Sequence, residues 1–273
     1  MISNFEAVIL GIIQGLTEYL PVSSSGHLVI THHLFGLQEP AIFFDVILHL
    51  GTLLVVIWYY RADIKATLID TYKGVAQLFH GESPSKIMDQ LPGFRMAWFV
   101  FLGSIPTGII GIGFRRQFEE MFASTELVGV MLIFTGLLLF ATRFVTDKKE
   151  NEKRITWRLA LAVGLAQGLA ITPGISRSGA TIAIALLLGV EREMAARLSF
   201  FLLIPALTGA ILISVNDASM DVSTTALTLG FVSSLIVGYF SLALLVNFVK
   251  RGRLSWFAYY CVGAGAFTYF FIG

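Results

Sequence analysis

The sequence predicts an all-α polytopic membrane protein with inverted-topology repeats, six transmembrane helices plus two re-entrant helical hairpins. Composition is the first reason. Hydrophobic residues make up 56% of the 273-residue chain and charged residues only 14%, against roughly 25% charged in an ordinary globular domain. Mean hydropathy is +0.78. The second reason is the length of the apolar runs, and the third is a pair of long runs that are broken in the middle and resemble each other. Nineteen Lys and Arg against eighteen Asp and Glu leave +1, which gives no electrostatic footprint for nucleic acid. A single cysteine, Cys261, excludes an intrachain disulfide and a cysteine-rich metal cluster.

The elements follow in order along the chain. No basic region precedes the first apolar run, since the first Lys or Arg is Arg61, so a cleaved signal peptide is not expected. Crossing a bilayer takes about 20 residues. Segments near that length run from Ile42 to Tyr60, Met96 to Phe114, Leu127 to Phe144, Ala195 to Val215 and Ala226 to Val249, with a shorter one from Trp256 to Ile272. Several end in aromatic or basic residues suited to the interface, among them Trp58 to Arg61 and Phe248 to Arg251.

Residues 4–35 and 159–190 are different. Leu20-Pro21-Val22-Ser23-Ser24-Ser25-Gly26 interrupts the first run and Thr172-Pro173-Gly174-Ile175-Ser176-Arg177-Ser178-Gly179 the second. Proline and glycine end one helix, and serine can cap the next. Each arm of about 11 to 15 residues makes roughly 16 to 22 Å of helix, too short for a hydrocarbon core of about 30 Å. A re-entrant pair of half-helices is the natural outcome, tolerable where protein or a wet cavity satisfies the exposed backbone.

A shift of 153 residues superimposes Gly11, Gln14, Gly15 and Leu16 on Gly164, Gln167, Gly168 and Leu169, and Ser23, Ser25 and Gly26 on Ser176, Ser178 and Gly179. That pattern divides the chain into a first repeat, 1–154, and a second, 155–273, each with one hairpin and three crossings. Three is odd, so the halves lie upside down relative to each other. Basic residues number five between Arg61 and Arg95, six between Arg143 and Arg158 and three between Lys250 and Arg253. The loop with Asn216, Asp217 and Asp221 has none. The positive-inside rule assigns the basic loops to the cytoplasm. The first hairpin then enters from the outer face, the second from the cytoplasmic face, and the C-terminus lies outside.

Polar groups inside these runs are costly and mark function. Gln14 and Glu18 share a helical face, and His27 lies beyond the serine run. Arg177 is the sole charge of its hairpin and requires an anion, either Glu18 or a substrate phosphate. Amide groups near Ser176 to Ser178 would add to an anion site. Ser23, Ser24 and Ser25 suit helix caps, or one of them is a nucleophile with His27 or Glu18 as base. His32 and His33 are expected at an interface. Asp45 and His49 are a ligand pair or simply polar residues at a helix entrance. Pro106 and Pro205 read as helix kinks, and the small residues of the crossings as close packing.

Gln14-Gly15-Leu16-Thr17-Glu18-Tyr19-Leu20-Pro21-Val22-Ser23-Ser24-Ser25-Gly26-His27 and Pro173-Gly174-Ile175-Ser176-Arg177-Ser178-Gly179-Ala180-Thr181 closely resemble the two signatures of the bacterial undecaprenyl-diphosphate phosphatase family, also called the bacitracin-resistance protein family. Phe44-Asp45-Val46-Ile47-Leu48-His49-Leu50-Gly51-Thr52 is similar to its third well-kept stretch. The resemblance implies an inner-membrane hydrolase that removes the terminal phosphate of a polyprenyl diphosphate carrier on the outer side of the membrane, using Mg²⁺ or Ca²⁺. It implies Glu18, Ser24, His27 and Arg177 as catalytic residues. It further implies substrate contacts from Gln14, Ser23, Ser25, Gly26, Gly174, Ser176, Ser178 and Thr181. Many members carry a second glutamate where this chain has Gln14, which supplies no negative charge. Metal ligation is therefore expected from Glu18, with Gln14 and Asp45 as the other candidates. The expected partners are the lipid substrate and membrane lipids, with a homodimer as a further expectation and no nucleic acid. Serine attack and direct attack by water remain open. A secondary transporter or lipid flippase is the rival of another class, because inverted repeats with broken helices also describe that architecture.

Overall fold

A computed structural model describes residues 2–37, 42–145, 155–214 and 222–273. The loop with Asn216, Asp217 and Asp221, and most of the basic segment between Arg143 and Arg158, lie outside the described residues. Among the described residues the regular structure is helical. The chain order is α1 (Asn4–Thr17), α2 (Ser24–Leu34), α3 (Ile42–Tyr59), α4 (Arg61–Phe79), α5 (Pro84–Gln90), α6 (Pro92–Gly113), α7 (Arg115–Met121), α8 (Thr125–Ala141), α9 (Trp157–Leu169), α10 (Arg177–Leu187), α11 (Arg192–Ser214), α12 (Thr224–Lys250) and α13 (Trp256–Phe271).

Each expected apolar run is a helix. Among the described residues, four are long and apolar enough to cross a membrane by themselves: α6, α8 with its short 3-10 extension, α11 and α12. Helices α3 and α4 together meet the same length and composition, but they are bent by 74° at their junction. Large apolar side chains such as Phe5, Ile112, Phe144, Phe240 and Phe271 stand on the outside, a surface that water would not tolerate and lipid does. This is a multi-pass helical membrane protein.

The segment from Arg61 to Arg95 departs from the sequence reading, which treats it as a loop. It folds into α4 and α5. The five charges on α4 (Arg61, Asp63, Lys65, Asp70 and Lys73) lower its hydropathy and hide it from a search for long apolar runs. Its exposed stripe of Leu68, Tyr72, Val75 and Phe79 recurs at helical spacing. The opposite side closes on α6, with Gly74 against the Phe94 ring and the Gly93 amide donating to Asp70 at 2.9 Å.

Both broken runs fold as two short helices. Gly11 of α1 approaches the Gly230 carbonyl of α12, and Gly164 of α9 approaches the Gly103 carbonyl of α6. A β-carbon at either glycine would collide with that backbone. The same reliance on small residues joins α8 to α13 through Gly129 and Gly265, in line with the packing expected of membrane helices. Helix α11 runs through the centre, burying Leu198 and the row from Phe200 to Leu203. The Phe200 ring meets Tyr19 edge-on at 5.8 Å, so the core lies directly behind the first hairpin loop. Pro106 and Pro205 fall inside α6 and α11.

Candidate active site

The two hairpin loops meet each other. Ser23 precedes α2 and accepts from the Gly26 amide at 3.2 Å, while Ser176 precedes α10 and accepts from the Gly179 amide at 3.1 Å. The capping role read from the sequence is thus filled by these two serines. Each capping hydroxyl also lies 3.3 Å from the hydroxyl of the serine two residues on, Ser25 or Ser178.

Several polar contacts hold the loops in place. Ser178 donates to the Tyr19 carbonyl at 2.8 Å, and the Tyr19 hydroxyl donates to the Thr52 carbonyl. Thr135 of α8 donates to the Gly174 carbonyl at 3.0 Å and accepts from the Ser176 amide at 3.1 Å. Gly174 has φ +93, and a side chain there would strike the Val128 carbonyl; only glycine suits both constraints. Ser23 has φ +69 without being glycine, a strained conformation of order 1–3 kcal/mol that clusters at functional sites.

Glu18 is the centre of the cluster formed at this junction. Its Oε1 accepts from Nη2 of Arg177 at 2.7 Å. Its Oε2 accepts from the Ser24 hydroxyl at 2.7 Å and the Gln14 amide nitrogen at 3.1 Å, with His49 Nε2 3.7 Å away. Two buried polar atoms beside it have no hydrogen-bond partner, Nη1 of Arg177 and Oε1 of Gln14. A buried unpaired guanidinium nitrogen and a buried unpaired amide oxygen each carry a desolvation cost. In a site they are also ready-made contacts, one for an anion and one for a cation.

The expected residues separate into groups. Gln14, Glu18, Ser24 and Arg177 come together, joined by His49. Ser23, Gly26, Gly174 and Ser176 shape the two turns, with Ser25 beside Ser23. Ser178 and Thr181 are buried behind the turns, Thr181 donating to the Arg177 carbonyl at 2.8 Å and sharing a hydrogen bond with Ser199 at 2.6 Å. They brace α10 from behind.

His27 faces elsewhere than Ser24. Its Nδ1 bonds the Ser23 carbonyl at 2.8 Å and its Nε2 the Tyr260 hydroxyl at 2.7 Å. The partner of the Ser24 hydroxyl is Glu18. Asp45 stands apart as well: its carboxylate is 3.5 Å from His32, and its carbonyl accepts from His49 Nδ1 at 2.7 Å. His32, expected at an interface, is buried beside Asp45, whereas His33 is exposed. Among the described residues no group of three or more His, Cys, Asp or Glu side chains is disposed to hold a metal.

Sequence reasoning missed the approach of His49 to Glu18 and the part played by Tyr260. His49 falls one turn beyond Asp45, which drew attention to the wrong partner. Tyr260 lies 233 residues from His27, and no local pattern announces such a contact.

The family of the bacitracin resistance protein BacA matches residues 7–267. The chain belongs to this family. An undecaprenyl-diphosphatase of Desulfosudis oleivorans is 46% identical over 268 residues, covering 96% of each chain. One of Desulfatibacillum aliphaticivorans is 46% identical over 264 residues, again with 96% of each covered. A third, of Methanosphaera stadtmanae, is 42% identical over 276 residues, with 98% covered on both sides. Family membership therefore takes in both hairpins, the Glu18 cluster and the last helix with Tyr260.

The Glu18–Arg177 pair has a consequence for stability. Arg177→Ala leaves a buried carboxylate without its counter-ion and should cost about 3–5 kcal/mol. Adding Glu18→Gln removes the stranded charge and should recover much of that loss. Thermal unfolding of the two variants in detergent micelles checks it, and identical midpoints for Arg177→Ala and the unmodified protein would contradict the pairing.

Proposed function

We infer that this protein hydrolyses undecaprenyl diphosphate to undecaprenyl phosphate and inorganic phosphate. The reaction returns the lipid carrier to peptidoglycan and envelope synthesis and gives bacitracin resistance. Near-full-length similarity to undecaprenyl-diphosphatases supports this reading. The observation that carries its chemistry is the Ser24 hydroxyl hydrogen-bonded to Glu18 beside the unpartnered Nη1 of Arg177.

A serine hydroxyl needs a base before it attacks, and Glu18 Oε2 already receives its hydrogen. Ser24 Oγ then bonds the terminal phosphorus as the bridging P–O bond breaks, and undecaprenyl phosphate leaves. The Ser24 proton goes to Glu18. Water hydrolyses the phosphoserine and releases inorganic phosphate. Arg177 keeps one nitrogen on Glu18 and offers the other to a phosphate oxygen, stabilising charge on the transferring group. His27 serves here as a support for the Ser23 turn. Of the two bases that the sequence offers, His27 and Glu18, the first is set aside because both of its ring nitrogens are engaged away from Ser24.

A magnesium or calcium ion belongs to the same reading. Glu18 and the unpartnered Oε1 of Gln14 are hard oxygen donors that suit such an ion, which commonly keeps several waters and shares phosphate oxygens. They are the residues that would hold it, and the bound ion would supply neutralisation of diphosphate charge. Asp45, drawn to His32, is not needed for this set.

The architecture proposed is an inverted duplication with six crossings and two re-entrant hairpins, α1–α2 and α9–α10. Its support is the shared 153-residue offset of the capping serines and of the glycines that seat α1 on α12 and α9 on α6. On this plan the protein lies in the inner membrane and its active site opens outward, with the basic loops in the cytoplasm.

Three outcomes are expected. Hydrolysis of a substrate with a chiral, isotopically labelled terminal phosphate should retain configuration at phosphorus, since two displacements occur; inversion would replace Ser24 by water as the attacking group. Chelation should abolish turnover of the unmodified protein and Mg²⁺ or Ca²⁺ restore it, whereas Glu18→Gln should not be fully rescued by added metal; full activity in chelator would remove the ion from the reaction. In a Cys261→Ser background, a cysteine at Ser85 should label only from the cytoplasm and one at Ala123 only from outside. The reverse pattern would overturn the orientation.

A further inference from the structure

Two neighbouring side chains of the last helix reach the first hairpin, Cys261 at the Pro21 carbonyl and Tyr260 at His27. Tyr260 of α13 is half exposed, yet its hydroxyl lies 2.7 Å from His27 Nε2, and the two rings stack at 5.8 Å with planes 12° apart. The direction of these bonds follows from chemistry. A backbone carbonyl can only accept, so His27 Nδ1 carries the hydrogen given to Ser23. In the neutral ring Nε2 is then a bare acceptor, and the Tyr260 hydroxyl is the donor. The Ser23 carbonyl thereby sets the tautomer, and the Tyr260 hydroxyl holds the plane of the imidazole.

What the imidazole holds is the turn that presents Ser24. Ser23 is the sole non-glycine residue with positive φ among the described residues. Its carbonyl accepts from both the backbone amide and the ring of His27. The next residue is Ser24, whose hydroxyl meets Glu18. We propose that Tyr260 is a positioning residue for phosphoryl transfer. Its hydroxyl locks His27, and His27 braces the strained Ser23 peptide that aims Ser24 at the Glu18–Arg177 pair. This assignment rests on the phosphatase reading above.

Tyr260→Phe keeps the ring stack and removes only the hydroxyl. Small displacements of a reacting group cost up to about a hundredfold in rate, so its kcat for undecaprenyl diphosphate should fall roughly tenfold to a hundredfold, with KM near the unmodified value. Tyr259→Phe, the exposed neighbour, should leave both constants unchanged. The second readout is ¹⁵N NMR of histidine-labelled protein, with the His27 signals identified by their loss in His27→Asn. Tyr260→Phe should move the His27 Nε2 resonance and leave the His32 and His49 signals in place, which also certifies the fold. Unchanged kcat, a change confined to KM, or an unmoved Nε2 resonance would each overturn the role of Tyr260. Absence of hydrolysis by the unmodified protein would instead sink the phosphatase reading, and the reaction that Tyr260 serves with it.

Discussion

An arginine and a glutamate 159 residues apart meet at 2.7 Å where two helical hairpins abut, and much of the surrounding structure is arranged around that contact. Taking either charge out of water costs several kcal/mol even after relaxation. Neither could be kept in its apolar run alone. The pair therefore requires the two loops to come together, and the loops can do so only if their turns are narrow. Gly26 and Gly174 provide that approach, and so do Gly179 and Pro21. Three loop carbonyls, of Tyr19, Gly174 and Pro21, are met by Ser178, Thr135 and Cys261, the last donating at 3.3 Å.

The ion pair is deliberately incomplete in chemical terms. A guanidinium can grip a planar anion with two nitrogens, yet Arg177 uses one on Glu18 and leaves the other buried and unpaired. Glu18 is also shared, between Arg177 on one oxygen and Ser24 and Gln14 on the other. A purely structural salt bridge would close on itself. This one holds the Ser24 hydroxyl on one side and leaves a guanidinium nitrogen unpaired on the other, the two contacts that the proposed phosphoryl transfer would use.

Much of this was legible in the sequence because it follows from length and spacing. Arms of 14 and 11 residues in the first hairpin and 13 and 11 in the second are short for the reason that Pro21 and Pro173-Gly174 suggest. Gln14 and Glu18 meet because they are one turn apart, and Arg177 needed an anion wherever the chain led it. What stayed hidden depended on distance and direction. The helix α4 carries too many charges to register as apolar, His49 turned to Glu18 instead of acting with the Asp45 carboxylate, and the partners of His27 could not be read from its neighbours. Proximity to Ser24 along the chain suggested a base; the α2 backbone turns the ring to Ser23 and Tyr260 instead.

The central claim is that the free nitrogen of Arg177 binds the diphosphate while the other stays on Glu18. Calorimetric titration with a non-hydrolysable polyprenyl methylenediphosphonate separates binding from turnover. Arg177→Lys keeps the charge but offers no second planar nitrogen, and a charge-assisted hydrogen bond is worth about 1.5–3 kcal/mol. Affinity should therefore fall at least about tenfold in Arg177→Lys, with the protein still folded. Equal affinity in the two proteins would contradict the account.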